Sequence, residues 1–226
     1  MRGLFVSGTD TGVGKTVLSA ALVAAMVADG VNVRAHKPAV SGLDEPAGEW
    51  PADHELLADL AGMTPEQVAP LRYGPAVSPH LAASLEGKPI DTGALLERAR
   101  AAAVGEVLVV EGIGGLLVPL GDRYSVRELA VELALPLLIA ARPGLGTINH
   151  TLLTLQAARV AGLEVLSVVL TPWPLQPSSL ELSNRETIAR LGEVEVTGLE
   201  RVSGPQRSAL ERAGAKLPWQ QWLKRH

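Results

Sequence analysis

Lys15, Thr16, Lys37 and Glu111 are the residues of this sequence whose types and placing suit chemistry on an anionic ligand. The first two close the stretch Leu4-Phe5-Val6-Ser7-Gly8-Thr9-Asp10-Thr11-Gly12-Val13-Gly14-Lys15-Thr16, which runs an apolar strand into a glycine-rich turn. The segment that follows, Val17 to Ala28, is almost all Ala, Val and Leu, the pattern of a buried helix. A turn that opens a helix presents free backbone N–H groups, and these point at phosphate oxygens. In such a cradle Lys15 reaches the β and γ phosphates, and Thr16 holds Mg²⁺ through its hydroxyl. The usual P-loop expression asks for glycine at position 9, where this chain has Thr9, with Gly8 one residue earlier. The plainer alternative is a glycine-rich strand-to-helix turn without a ligand.

Glu111 follows the apolar run Val107 to Val110 and precedes Gly112-Ile113-Gly114-Gly115, which leaves room beside the carboxylate for a bulky ligand. It suits Mg²⁺ ligation, directly or through water; the competing role is a helix-capping or solvated carboxylate. Lys37 lies in His36-Lys37-Pro38-Ala39-Val40-Ser41-Gly42, between an apolar run and a loop constrained by Pro38 and Gly42. It is either a fixed cation or a surface lysine with a solvated head, and spacing alone leaves both open.

The elements that must position these groups alternate along the chain. Apolar strands are expected at Leu4–Ser7, Val31–Ala35, Val107–Val110, Leu116–Leu120, Leu137–Ala141 and Val165–Leu170, with a weaker one at Glu195–Leu199. Helices are expected at Val17–Ala28, Asp53–Ala61, Pro79–Leu85, Thr92–Ala103, Val126–Leu133, Ile148–Val160 and Leu180–Leu191. Strands this uniformly apolar are covered on both faces, which gives an α/β, doubly wound, mainly parallel sheet flanked by helices. Ligands of such sheets gather beyond the carboxyl ends of the strands, so Lys15, Lys37 and Glu111 should converge on one rim.

Composition narrows the partners. With 226 residues and a hydrophobic fraction of 47%, one continuous core and one domain over 1–226 are expected. A formal charge of -4 and no long Lys/Arg block argue against nucleic acid or an anionic membrane as the main partner. Cysteine is absent, which removes thiolate metal sites and cysteine nucleophiles. No apolar run approaches the roughly 20 residues that cross a bilayer, and no targeting pattern opens the chain, so a soluble cytoplasmic protein is expected. The Pro-rich pieces, Asp44–Pro51 and Pro172–Pro177, are loop-sized.

Taken in order, Gly8-Thr9-Asp10-Thr11-Gly12-Val13-Gly14-Lys15-Thr16, Lys37-Pro38-x-x-Ser41-Gly42, Ser78-Pro79-His80, Glu111-Gly112-x-Gly114-Gly115 and Gly146-Thr147-Ile148-Asn149-His150 closely resemble the dethiobiotin synthetase family of P-loop NTPases. The resemblance is strong from residue 3 to about 170. It implies an ATP- and Mg²⁺-dependent ligase that joins CO₂ to 7,8-diaminopelargonic acid and closes a ureido ring, releasing ADP and phosphate. One amine captures CO₂ as a carbamate, the γ-phosphate activates it as a mixed anhydride, and the second amine closes the ring. Carbamate, transferred phosphoryl group and leaving ADP are all anionic, so preorganised positive charge serves them better than a nucleophile.

By that resemblance Lys37 and Lys15 are catalytic, and Thr11 and Ser41 hydrogen-bond the carbamate or diamine. Gly12, Val13, Gly14, Lys15, Thr16 and Val17 surround the nucleotide phosphates, and Asp53, Glu111, Gly112, Ile113, Gly114 and Thr171 belong to the nucleotide site. Thr16, Asp53 and Glu111 match the Mg²⁺ positions. The family is a homodimer in which the substrate's carboxylate tail reaches the partner subunit, and Gly146, Thr147 and Asn149 match that segment. His80 reads as a loop packing residue, and His150 equally as a helix cap.

Two departures stand out. Gly12 replaces an acidic residue of some relatives. Thr171-Pro172 replaces the Asn-Asp with which many relatives read adenine, and one hydroxyl cannot make an amide's paired contacts, which puts base selectivity at issue both here and in the loop near Arg201–Ser203. A partitioning or positioning ATPase is the alternative; such proteins carry an extra lysine early in the P-loop, which Thr9-Asp10 does not supply. Cobalamin-pathway amidotransferases append a glutaminase domain with a cysteine, and this chain has none.

Overall fold

The computed structural model describes residues 1–46, 48–103 and 106–224. Its elements in order are β1 (Gly3–Gly8), α1 (Lys15–Ala28), β2 (Val33–His36), β3 (Ala39–Val40), α2 (Asp53–Ala61), α3 (Pro65–Val68), β4 (Leu71–Arg72), α4 (Pro79–Leu85), α5 (Thr92–Ala102) and β5 (Val107–Gly115). They continue with β6 (Pro119–Gly121), β7 (Tyr124–Ser125), α6 (Val126–Leu133), β8 (Leu137–Ala141), α7 (Thr147–Val160), β9 (Val165–Trp173), α8 (Ser179–Gly192), β10 (Glu195–Glu200), α9 (Arg207–Gly214) and α10 (Trp219–Lys224). Ala47, in the expected Asp44–Pro51 loop, lies outside the described residues.

Six strands form the main sheet in the order β10-β9-β8-β1-β5-β2, and every pair in it is parallel. The chain leaves β1 toward one edge through β2 and β5, then crosses to the other side through β8, β9 and β10. That reversal puts a crevice at the carboxyl end of β1, where the glycine-rich turn emerges. Side chains alternate between faces along each strand. In β1, Leu4 and Val6 join a core with α1, α2, α9 and α10, whereas Phe5 joins the opposite core with α5, α6 and α7. Both faces are therefore covered, which explains why the strands read as continuous apolar runs.

The main expected elements are present, with one reassignment. Leu116–Leu120 does not form a sheet strand. The strand before it extends to Gly115, Leu116 and Leu117 make a turn, and β6 pairs antiparallel with β7 outside the main sheet. Gly114, at φ 57, adopts a left-handed backbone that a side chain disfavours, and there the strand turns aside. Val126 and Arg127 then donate backbone N–H groups to the Val118 and Leu116 carbonyls, tying the hairpin to the start of α6. Ser125 caps that helix by accepting from the Arg127 N–H, and Glu128 answers from the first turn.

The helices after β10 carry no motif, yet they complete one layer. Leu210, Leu217, Trp219, Trp222 and Leu223 are buried in the core that contains α1. A side chain at Gly214 would collide with the Ala21 carbonyl, so glycine permits α9 to lie directly on α1. Among the described residues no helix is long and apolar enough to cross a membrane.

Candidate active site

The glycine-rich turn is built by close approach. A Cβ at Gly8 would stand 2.8 Å from Val13 Cγ2 and 3.1 Å from the Lys15 side chain, so the loop folds back onto the end of β1 only because Gly8 has none. The glycine that the usual expression places at position 9 is needed here at 8. Thr9 instead donates its N–H to the Ala140 carbonyl, 3.0 Å, and stays in register with β8. Gly12 and Gly14 have φ of 69 and 94, and Gly14 is the N-cap of α1. Among the described residues no side chain caps that helix, which leaves its first amides for a ligand.

Around this turn a cleft of ≈ 760 Å³ is lined by Thr11, Gly12, Gly14, Lys15, Thr16 and Val17, by Lys37, Ser41 and Asp53, and by Glu111, Ile113 and Gly114. Ala76 to Pro79 and Val118 close the opposite wall. Five segments separated in sequence thus converge on one rim.

Buried charge sits at its centre. Lys37 is 4% exposed and Glu111 0%, and the Lys37 Nζ lies 2.6 Å from Glu111 Oε1 and 2.7 Å from Asp53 Oδ2. Thr16 Oγ1 donates to the same Glu111 oxygen at 2.9 Å. Burial by itself would lower the Lys37 pKa, but the carboxylates of Glu111 and Asp53 outweigh it and raise the value above that of a free lysine. The lysine is therefore a permanent cation. Burial pushes Glu111 up. For Asp53 burial acts upward too, but Lys37 overcomes it, aided by Thr16 and Lys15, and holds this carboxyl below its ordinary value. Among the described residues no carboxylate touches Lys15; its Nζ donates to the Asp10 carbonyl at 2.8 Å. Burial lowers its pKa to about 8, against the attraction of Glu111.

Thr16, Asp53 and Glu111 offer hard oxygen donors, and Glu111 Oε2 is buried without a hydrogen-bond partner among the described residues. One hydroxyl and two carboxylates suit Mg²⁺, which keeps several waters and shares ligation with substrate phosphates. Among the described residues no group of three or more His, Cys, Asp or Glu could form an all-protein metal cage.

Comparison with known proteins bears on what binds there. A family model described as an AAA domain matches residues 2–200. The chain is 43% identical over 206 residues to the ATP-dependent dethiobiotin synthetase BioD of Anaeromyxobacter sp. (strain Fw109-5), covering 86% of this chain and 91% of that protein. It is 38% identical over 202 residues to the BioD of Bacillus subtilis (strain 168), with 88% and 87% covered. The chain belongs to the dethiobiotin synthetase family. Solved structures show a wider likeness of fold alone. A ParA family ATPase from Chlorobium tepidum superposes with a TM-score of 0.56 at 14% identity, covering 99% of this chain and 95% of that one. Cyanthece McdA gives the same TM-score at 13% identity, with 94% and 90% covered.

Of the residues matched to the dethiobiotin synthetase family by motif, the fold gathers Thr11, Gly12, Gly14, Lys15, Thr16, Val17, Lys37, Ser41, Asp53, Glu111, Ile113 and Gly114 in the cleft. The others take different places. Val13 is buried beneath the turn. Gly112 is a packing glycine, since a Cβ there would meet Phe5 and Val126 at 3.1 Å. Thr171 is buried at the end of β9; a Cβ at Gly14 would come 2.6 Å from its Cγ2, so it supports the phosphate turn from behind and is not a wall of the cleft. Gly146, Thr147 and Asn149 open α7 away from the cleft, with Gly146 as N-cap at φ 88 and the Thr147 hydroxyl 3.4 Å from that of Thr151. His80 is exposed, its Nδ1 3.1 Å from Ser78 Oγ, and His150 is exposed on the first turn of α7.

Two contributors escaped the sequence reading. The Val77 carbonyl accepts from Ser41 Oγ at 2.7 Å, and nothing in residue type marks a backbone acceptor. Arg142 stands directly after β8 and donates to the Gly12 carbonyl at 3.2 Å. A polar residue just past a strand was the available signal, the same that singled out Lys15, Lys37 and Glu111.

Proposed function

We propose that this chain, acting as one domain, is an ATP-dependent dethiobiotin synthetase that carboxylates 7,8-diaminopelargonic acid with CO₂ and closes the ureido ring. The observation that carries the reading is the convergence of Lys15, Lys37, Thr16, Asp53 and Glu111 in one cleft, with Lys37 clamped between two carboxylates. A binding module for nucleotide alone has no use for a second buried lysine held at that depth.

The residues divide the work. The free amides that open α1, with Lys15, hold the triphosphate. Ser41 directs its hydroxyl proton to the Val77 carbonyl, so its lone pairs face the cleft and accept an N–H from a substrate amine. An amine attacks CO₂ and loses a proton, giving a carbamate. A carbamate oxygen attacks the γ-phosphorus and ADP leaves; the second amine attacks the carbonyl carbon and phosphate leaves as the ring closes. Negative charge migrates across the cleft at each step. Lys37 and Lys15 stabilise it as fixed cations, and no side chain serves as nucleophile. Thr16, Asp53 and Glu111 would hold Mg²⁺, which would supply charge neutralisation for the triphosphate.

A homodimer fits the same reading. Leu117, Leu145 and Leu153 are 59%, 91% and 56% exposed around the start of α7, where Gly146, Thr147 and Asn149 would receive the substrate's carboxylate tail from a second copy. The enzyme works in the cytoplasm.

ADP release with and without diaminopelargonate and bicarbonate tests the proposal. Both are expected to be required. Release that ignores them, or that responds to DNA or lipid instead, overturns the reading in favour of a switch ATPase.

A further inference from the structure

Arg142 is the first residue past β8, the strand beside β1 on the side away from Glu111. The two strands are locked in register, Gly8 opposite Ala140, and the Thr9 N–H bonds the Ala140 carbonyl. The Arg142 backbone therefore leaves the sheet at a fixed place next to the phosphate turn. Its side chain crosses the turn, and Nη2 donates to the Gly12 carbonyl at 3.2 Å. The same nitrogen would stand 3.2 Å from a Cβ at Gly12, so the guanidinium also occupies the space above that residue's Cα.

The peptide plane turns this contact into a statement about the cradle. In a trans peptide the carbonyl and the following N–H point in opposite directions. Holding the Gly12 oxygen toward Arg142 therefore sends the Val13 N–H the other way. That N–H has no protein acceptor among the described residues, although Val13 itself is buried and fixed. Gly12, at φ 69, has no side chain to prevent rotation of this peptide, so its orientation needs an external hold. Arg142 is the side chain that supplies one.

We propose that Arg142 is a positioning residue of the nucleotide site: through the Gly12 carbonyl it fixes the Gly12–Val13 peptide with its N–H available to the phosphates. It touches the cradle and not the reacting atoms, so it sets nucleotide affinity and leaves the chemical step alone.

The inference rests on reading the turn as a nucleotide site, and nucleotide binding tests it without reference to dethiobiotin formation. Direct titration of the full-length protein with MgADP and MgATP should show Arg142→Met weakening both by about five- to tenfold, the range of one lost oriented hydrogen bond. Turnover at saturating nucleotide and the KM for diaminopelargonate should stay within about twofold, and the melting temperature should not move. Arg142→Lys keeps the charge but not the guanidinium's reach, and should recover less than half of the loss on a logarithmic scale. Unchanged nucleotide affinity in Arg142→Met overturns the proposal. So does full recovery in Arg142→Lys, which would make charge alone sufficient, or a lowered melting temperature accompanying the weaker binding. A wild-type protein that binds nucleotide but forms no dethiobiotin would undo the proposed activity and leave this comparison intact.

Discussion

His36 ends β2 with 1% exposure, and neither ring nitrogen has a hydrogen-bond partner among the described residues. Burial, with a smaller push from the Arg98 guanidinium, lowers its pKa to about 4 from the 6.5 of a free histidine. The ring is thus neutral in the folded protein and charges in the unfolded chain as pH falls below 6.5. Full stability is present above 6.5 and is drained as the pH approaches 4. Integrating the proton difference gives a loss of about 2 kcal/mol between pH 7.5 and pH 5, rising to about 3 kcal/mol near pH 4. Replacing the ring by an apolar side chain of similar size abolishes this drain. It also removes a desolvated polar group without partners, worth on the order of 1 kcal/mol at any pH. Urea unfolding of the wild type and of His36→Leu at pH 7.5, 6 and 5 is the assay. The difference between the two should be small at pH 7.5 and grow by about 2 kcal/mol by pH 5. Other titrating groups are common to both proteins and cancel. Parallel stability curves across that range would refute the argument, because a histidine with solvent or partner access pays no such cost.

Lys15 should impose a pH limit on nucleotide binding: with its ammonium near pKa 8 in the free protein and needed by the phosphates, the Kd for MgATP should rise about tenfold per unit above pH 8, a dependence that Lys15→Arg removes and isothermal titration detects. Lys37→Gln should cut turnover by at least about two orders of magnitude with MgATP affinity changed far less, since in the proposed reaction the lysine would stabilise the carbamate and the moving phosphoryl group; a parallel fall of both would make it an ATP anchor. Thr171 presents no amide and packs behind the turn, so CTP, GTP and UTP should support dethiobiotin formation within about one to two orders of magnitude of ATP, whereas strict ATP dependence in initial-rate assays would place base reading in backbone groups after β10.

How far the sequence disclosed this molecule depended on what kind of signal each part leaves. Uniformly apolar strands and glycine-punctuated turns carry local patterns, and the sheet strands and the first helix were legible from them. Lys15 and Thr16 were legible because they close a glycine-rich turn and open α1, and Glu111 because a carboxylate interrupts an apolar run, although it lies within β5 and not past its end. Lys37 was balanced between cation and surface lysine until the fold supplied Glu111 and Asp53 as its partners, contacts across 74 and 16 residues that no local pattern encodes. Leu116–Leu120 misled because an apolar run fits a hairpin against a helix as well as it fits a strand in the sheet. The last two helices were silent for a related reason: their buried residues acquire meaning only against α1, almost two hundred residues earlier.

That last contact gives the phosphate turn a history in time. The helix that carries Lys15 and Thr16 shares its core with Leu210, Leu217, Trp219 and Trp222, which are made almost two hundred residues after it. While the intervening chain is being synthesised, the part of the helix that packs against them stays open to water or to a chaperone. The turn can have its sequence, its glycines and its neighbouring strand and still sit on a helix not yet fully supported. The support of the glycine-rich turn is therefore complete only once a segment almost two hundred residues further along the chain has been made.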